Sequence, residues 1–232
     1  MANAHRYGFR FARSISGDAT PQIFTFPILT AYQPNTQDGG GGTNVNLNIG
    51  DPVRLREDGT LRLTQIGTDV TGEQGTGSET VFGVIVGFPR VIVGGSPRPG
   101  SFYTGATAYT GGIGSDNAPL VSVIPAAGNI FECDLSAALG TGIKSDYVGV
   151  TGRTAPITYS VLTSGQGQPK ANPLIGTLTA TGGAAQAQLL IVGLGKAGDA
   201  MDFTSSNVTM QVMFNSLQLG LNVKAAVFGT AN

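Results

Sequence analysis

The sequence predicts an all-β protein, with a small β-barrel or β-tulip-like body, long loops rich in Gly, Thr and Ser, and an extended N-terminal arm. Three observations predict it. Apolar and polar residues alternate with a period of two in several short runs, as in strands with one buried face. Glycine is abundant, at 36 of 232 residues, and 12 prolines punctuate the runs. No apolar pattern of helical period lasts beyond about two turns. A chain of this length can bury roughly 70 % of its unfolded surface, so a proper core is available.

Residues 1–17 hold His5, Arg6, Arg10 and Arg13 interleaved with Tyr7, Phe9 and Phe11, and no acidic residue precedes Asp18. Alternating cations and aromatics suit an arm that lies along a partner surface, a terminal edge strand folded back on its own barrel, or a grip on single-stranded nucleic acid. Three arginines are too few for a strong counterion-release site, which disfavours the last. From Gln22 to Tyr32 the apolar pattern is extended, and Pro21, Pro27 and Pro34 forbid a helix or a central strand, leaving an edge or a strap. Gly39 to Gly42 form a flexible link. The arm and strap therefore cover 1–43 and the body 44–232, with 94–188 as a candidate loop-rich subdomain.

Within the body, Val53 and Leu55 alternate with Arg54 and Arg56, Asp58-Gly59 makes a turn, and Leu61 and Leu63 alternate with Arg62 and Thr64. That is a β-hairpin with one wet face. Val81 to Val86 carries no charge and is expected as a fully buried strand beside it. A short strand near 91–93 runs into the Pro/Gly turn at 94–100. Residues 101–117 form a long exposed loop carrying Tyr103 and Tyr109, for which contact with a neighbouring subunit is the expected use. Strands come next at Leu120–Ile124 and Asn129–Leu135, with Phe131, Cys133 and Leu135 on one face and Glu132 and Asp134 on an opposite, wet face. A helical turn is expected at 136–139, a strand at 157–162, a mobile stretch at 164–172 and a buried run at 188–193. Val208, Met210, Val212 and Phe214 then alternate with Thr209, Gln211 and Met213, and Leu217, Leu219, Leu221 and Val223 continue in a new phase after a turn or bulge.

Composition and motifs exclude several chemistries. Net charge is −1 with 12 % charged residues, so no global charge favours nucleic acid or an anionic membrane. So few charges fit a protein with much of its surface against another protein, or a loop-rich β protein covered in Thr, Ser, Asn and Gln. The single Cys133 excludes an internal disulfide and is expected as a small core residue. No signal-peptide pattern and no run of about 18 apolar residues occurs, so a soluble cytoplasmic product is expected. Gly193-Leu194-Gly195-Lys196-Ala197-Gly198 comes after an apolar strand as a dinucleotide-binding turn would. The residues beyond it are strand-like, and no later acidic residue is placed to hold a ribose, so it is expected as a β-turn. One histidine and one cysteine build neither a zinc cluster nor a catalytic triad in the body. No cofactor and no enzymatic activity are therefore expected.

The chain resembles the small capsid decoration, or cement, proteins of tailed bacteriophages. Gly8-Phe9-Arg10-Phe11-Ala12-Arg13-Ser14-Ile15-Ser16-Gly17 is similar to their short Gly-Phe-Arg-x-x-Arg-x-x-Ser-Gly arm, with one extra residue. Gly50-Asp51-Pro52-Val53-Arg54-Leu55 matches their Gly-Asp-x-Val-x-Leu pattern, and Gly83-Val84-Ile85-Val86-Gly87 their buried strand. Val121-Ser122-Val123 with Phe131-Glu132-Cys133-Asp134, and Leu189-Leu190-Ile191-Val192-Gly193-Leu194, complete the order. The Gly39 to Gly42 insert, the 94–117 loop and the tail after Phe214 depart from it. The resemblance implies a virion structural protein, made in the host cytoplasm, that binds the outer surface of the expanded capsid and bridges neighbouring capsomers. Its implied partner is the major capsid protein, with self-association as a homotrimer. Its implied contacts are Tyr7, Phe9, Arg10, Phe11 and Arg13 on the arm, with Phe9 and Phe11 as apolar anchors, and Tyr103 and Tyr109 on the loop. Another virion subunit, such as a fibre base, tail tube or minor capsid protein, and a carbohydrate-binding adhesin module remain as alternatives.

Overall fold

The computed structural model describes residues 8–17, 20–28, 47–55, 59, 61–64, 80–93, 96–100, 102–103, 119–161, 171–176, 188–195, 201–204, 208–215 and 217. The protein is all-β, with sheets that curl as a half-barrel. Its strands are β1 (Arg10–Ser14), β2 (Phe24–Pro27), β3 (Leu47–Asn48), β4 (Pro52–Leu55), β5 (Leu61–Leu63), β6 (Gly83–Val93), β7 (Ser96–Gly100), β8 (Phe102–Tyr103), β9 (Leu120–Pro125), β10 (Asn129–Asp134), β11 (Thr154–Ala155), β12 (Ile157–Val161), β13 (Ala171–Ile175), β14 (Leu189–Leu194) and β15 (Thr209–Phe214). The short helix α1 spans Lys144–Val148.

Two antiparallel sheets carry the fold. One has the order β1-β10-β15-β14-β11; the other has β2-β9-β6-β4-β5, with β7 paired to β6. The ribbons β12-β13 and β3-β8 stand beside them. The predicted hairpin is present, with Val53 opposite Leu63 and Leu55 opposite Leu61. The charge-free run is the central strand β6, and both of its faces are buried. Val84 points into a core shared with the five-stranded sheet, where Phe131, Val212 and Phe214 lie. Ile85 points into a second core with Val53, Val121 and Val123. A strand buried on both faces must be apolar at consecutive positions, which is why 81–86 breaks the period-two pattern. Strand β6 runs on through two bulges to Val93, so the separate short strand expected near 91–93 is its continuation.

Several expectations are corrected. The two strands expected within 120–135 are present as β9 and β10, and they belong to different sheets. The chain crosses between them at 125–129, where Gly128 takes φ +73° and Asn129 Nδ2 donates to the Pro125 carbonyl at 2.9 Å. Within the 94–188 stretch, β9 and β10 thus each take part in one of the two main sheets. Glu132 and Asp134 do not face water: they are 8 % and 0 % exposed, because β1 and β15 cover β10 from both sides. The helix lies at 144–148 and not at 136–139. Strand β2 is an edge strand, as its prolines require.

One backbone junction ties the sheets together. The Phe9 N–H, at the entry to β1, donates to the Gly50 carbonyl at 2.9 Å, and the Gly50 N–H donates to Ile85 of β6 at 2.8 Å. Ile85 returns a bond to the Asp51 carbonyl at 3.0 Å. Gly8 and Gly50 both have positive φ, +72° and +95°. A methyl on Gly8 would stand 2.8 Å from the Gly50 Cα. By contrast, Gly17 has φ +93° and open space around it. Gly17→Ala should therefore cost only the left-handed backbone term, about 1–2 kcal/mol. Gly8→Ala should cost about 3 kcal/mol or more, roughly 6–12 °C in Tm, because backbone must move as well. Thermal melts of the two variants check this, and equal shifts would contradict the junction.

Candidate functional site

Of the N-terminal residues singled out in the sequence, Phe9 is part of the core and Phe11 packs against it, partly buried. Phe9 is 2 % exposed and its ring lies 4.9 Å from Phe214. Phe131 stands edge-on to Phe214 at 5.4 Å and Phe11 edge-on to Phe131 at 6.3 Å, giving a chain of four rings across β1, β10 and β15. Phe9 and Phe11 are thus not free anchors. Burying one phenylalanine is worth about 2–3 kcal/mol, and β1 also supplies hydrogen bonds to the open side of β10. Those two terms fold residues 8–17 back onto the body, which corrects the expectation of a separate arm there. Arg13 is exposed at the end of β1. Tyr7 and Tyr109 lie outside the described residues. Tyr103 is not in a free loop: it sits in β8, paired with Leu47 of β3.

Arg10 turns inward. Its Nη2 lies 4.0 Å from both Glu132 Oε2 and Asp134 Oδ1, on the face of β10 opposite Phe131 and Cys133. Thr209 of β15 donates its hydroxyl to Asp134 Oδ1 at 2.7 Å. Three adjacent strands thus share one polar cluster, in which two carboxylates face a guanidinium and a hydroxyl. A buried carboxylate without such partners would be costly, so the cluster fixes the position of β1 on β10. The sequence carries a signal for it, since Arg10 alternates with Phe9 and Phe11 as Glu132 and Asp134 alternate with Phe131 and Cys133. Cys133 is fully buried, and burial with the adjacent Asp134 pushes its thiol well above the usual range, so it is a core residue as expected.

Asp51, the acid of the Gly-Asp-x-Val-x-Leu pattern, is buried. Its Oδ2 accepts from the Asn48 N–H at 2.8 Å, while Oδ1 has no hydrogen-bond partner and the residue is 1 % exposed. Desolvation raises its pKa well above the ordinary value, outweighing the Asn48 backbone and side-chain groups that lower it. The exposed carboxylates behave oppositely. Against a desolvation that raises it, bonds from Thr141 and Ile143 hold Asp146 below its ordinary range, and the Thr204 hydroxyl and N–H do the same for Asp202. Both serve as acceptors in turns. Among the described residues, no group of three or more His, Cys, Asp or Glu side chains is placed to hold a metal ion. The GxGxxG run begins in β14, which pairs antiparallel with β15, whereas a dinucleotide fold needs a parallel crossover. Residues 196–198 lie outside the described residues.

Apolar side chains do reach the surface in a few places. Ile15, Ile23 and Phe24 are exposed near β1 and β2, Ile49 projects from the 48–51 turn, and Ile143 and Val148 stand at the two ends of α1. Ile15 donates its N–H to Gly128, and Phe24 pairs with Val123, so these residues lie beside the turn that joins β9 to β10. The described surface thus carries several separate apolar contact points. Compared with protein-family models, with curated proteins and with solved structures, the chain matches none.

The Asp51 site gives a pH dependence with a definite sign. Its folded pKa is raised above its unfolded value, so the stability contributed by the neutral carboxyl is complete below that unfolded value and is lost as pH rises through the folded pKa. Asp51→Asn keeps an acceptor for the Asn48 N–H and cannot ionise. Thermal melts between about pH 4 and pH 9 should show the variant gaining on the wild type as pH rises. A constant difference across that range would contradict a neutral buried Asp51.

Proposed function

We propose that this chain is a virion structural protein of the capsid decoration class, which binds the outer surface of an expanded phage head and bridges neighbouring capsomers. The observation that supports this reading is how the five stretches that resemble the family meet in the fold. Gly8-Phe9 touches Gly50, Gly50 bonds Ile85, Ile85 stands opposite Val123, and Phe131 packs on Phe11. Leu189 to Leu194 forms β14, which joins the same core through β15. Each pattern alone is ordinary for a strand. Together they are the residues that tie the two sheets, which is where a shared fold would constrain sequence most strongly.

The mechanism is a linkage effect. A protein that binds the expanded shell and has no comparable site on the immature or broken shell stabilises the expanded state by mass action. Several weak contacts that bridge capsomers act together through effective concentration. With Phe9 inside the core and Phe11 packed against it, Arg13 and the nearby Ile15 take over as the contacts offered by this end of the chain. The reading requires no catalytic group and no cofactor, and its site of action is the virion exterior.

Co-sedimentation with expanded, undecorated heads and with unexpanded proheads tests this directly. Saturable binding to expanded heads alone is expected, with occupancy reduced by Arg13→Glu. Binding to neither shell, or to both equally, would overturn the reading.

A further inference from the structure

Asp51 is followed by Pro52, and the sequence contains no other Asp-Pro bond. Such a bond is open to attack from within its own residue. The aspartyl side chain reaches its main-chain carbonyl carbon by closing a five-membered ring, and the departing proline nitrogen belongs to a tertiary amide, which takes up a proton more readily than a secondary one. Attack from inside the chain gains greatly over attack by water when the groups are held in place. The leaving nitrogen also needs a proton, and an ordinary aspartate, ionised at neutral pH, has none to give.

The fold supplies what this bond needs. Asp51 and Pro52 are both buried at the entry to β4. Of the two carboxyl oxygens, Oδ2 is held by the Asn48 N–H at 2.8 Å, while Oδ1 has no hydrogen-bond partner and is the one free to react. The carbonyl it would attack accepts from the Ile85 N–H at 3.0 Å. That donor belongs to the central strand β6 and is aimed at the oxygen on which negative charge develops when the carbonyl is attacked. Both sides of the bond are pinned, since Gly50 bonds Phe9 and Ile85, and the Pro52 carbonyl accepts from the Thr64 N–H at 2.9 Å. The residues bonded to or paired with 50–52 from other elements, Phe9, Val84, Ile85 and Thr64, have no ionisable side chain. Burial therefore acts on the carboxyl without a nearby cation among them, and it keeps the proton on above the ordinary carboxylate range.

We propose that the chain cuts itself between Asp51 and Pro52. Asp51 Oδ1 bonds to the Asp51 carbonyl carbon, the C–N bond to Pro52 breaks, and the carboxyl proton passes to the Pro52 nitrogen. Residue 51 is left as a cyclic anhydride and residue 52 as a secondary amine. Water then opens the anhydride to two carboxyl groups, so the sum is hydrolysis of one peptide bond, with no oxidant and no cofactor. The Ile85 N–H stabilises the tetrahedral stage, and Asn48 positions the carboxyl through Oδ2. Strands β1 and β2 stay paired with β10 and β9, so the two pieces remain together after the cut. Its new charged ends lie where Gly8 meets Gly50, and burying them is unfavourable, so the cut loosens the contact between the N-terminal strand and the body. The inference does not depend on the capsid reading.

The test incubates the full-length protein at about pH 5, where an ordinary aspartate is already ionised, and follows it by mass spectrometry under denaturing conditions. Fragments 1–51 and 52–232 should accumulate. They should form at least about tenfold faster from the folded protein than from the same chain unfolded in urea at the same pH, because the unfolded chain lacks both the Ile85 donor and the retained proton. This comparison uses the wild type alone and needs no variant to fold. Asp51→Asn, which cannot form the anhydride, and Pro52→Ala, which makes the leaving group a secondary amide, should each slow the cut at least about tenfold. A wild-type chain that stays intact, or one that is cut as fast in urea as when folded, would overturn the proposal. So would Asp51→Asn cut at the wild-type rate, which would point to a contaminating protease.

Discussion

The close approach of two glycines is the constraint on which the rest depends. Gly8 and Gly50 meet backbone to backbone, so that Phe9 can bond Gly50 and Gly50 can bond Ile85. No side chain fits between them, and both take backbone conformations that other residues rarely adopt. The junction places β1 over β10 and seats Phe9 among Phe214 and Phe131 in one core. It also holds β4 beside β6, whose other face closes the second core. Asp51, next in the chain, stabilises the same turn through its bond to Asn48 while carrying a desolvated carboxyl. The two sheets thus share a backbone clasp and a strand, β6, that is buried on both sides.

Local patterns are legible in the sequence and long-range pairings are not. The alternation at Val53, Leu55, Leu61 and Leu63, and at Val208, Met210, Val212 and Phe214, predicts correct strands because period two is a property of one strand and one face. The face carrying Glu132 and Asp134 misleads for the same reason. Alternation separates two faces, but only the neighbours β1 and β15 decide that the polar face is covered as well. The crossing at 125–129 looks like an ordinary hairpin turn, since nothing local distinguishes a turn within a sheet from one between sheets. The N-terminal residues carry both meanings at once. Aromatics alternating with arginines suit a docking arm, and they equally suit an edge strand whose arginine meets buried acids. Arg10 meets Glu132 and Asp134, and the second meaning prevails for residues 8–17.

These features bear on function through rigidity. A body whose terminal strand is locked into its core presents its contact residues without paying to order them first, which favours binding through small surfaces. Among the described residues the surfaces left over are modest: Arg13 and Ile15 beside the β9-β10 turn, the uncharged β2 edge, and the apolar Ile143 and Val148 at the two ends of α1. On the proposed reading many such weak contacts are repeated over a lattice, so small patches suffice where a solitary binder would need a large one.

Native-state hydrogen exchange at the Phe9, Gly50 and Ile85 amides tests the central claim most directly, because those three protons are the donors of the junction. If the clasp integrates the N-terminal strand with the core, all three should exchange only through global unfolding, with the same opening free energy as Val212 in the middle of β15. Exchange of Phe9 orders of magnitude faster than Ile85 would mean that the strand opens on its own, and that the two sheets are not joined in the way described.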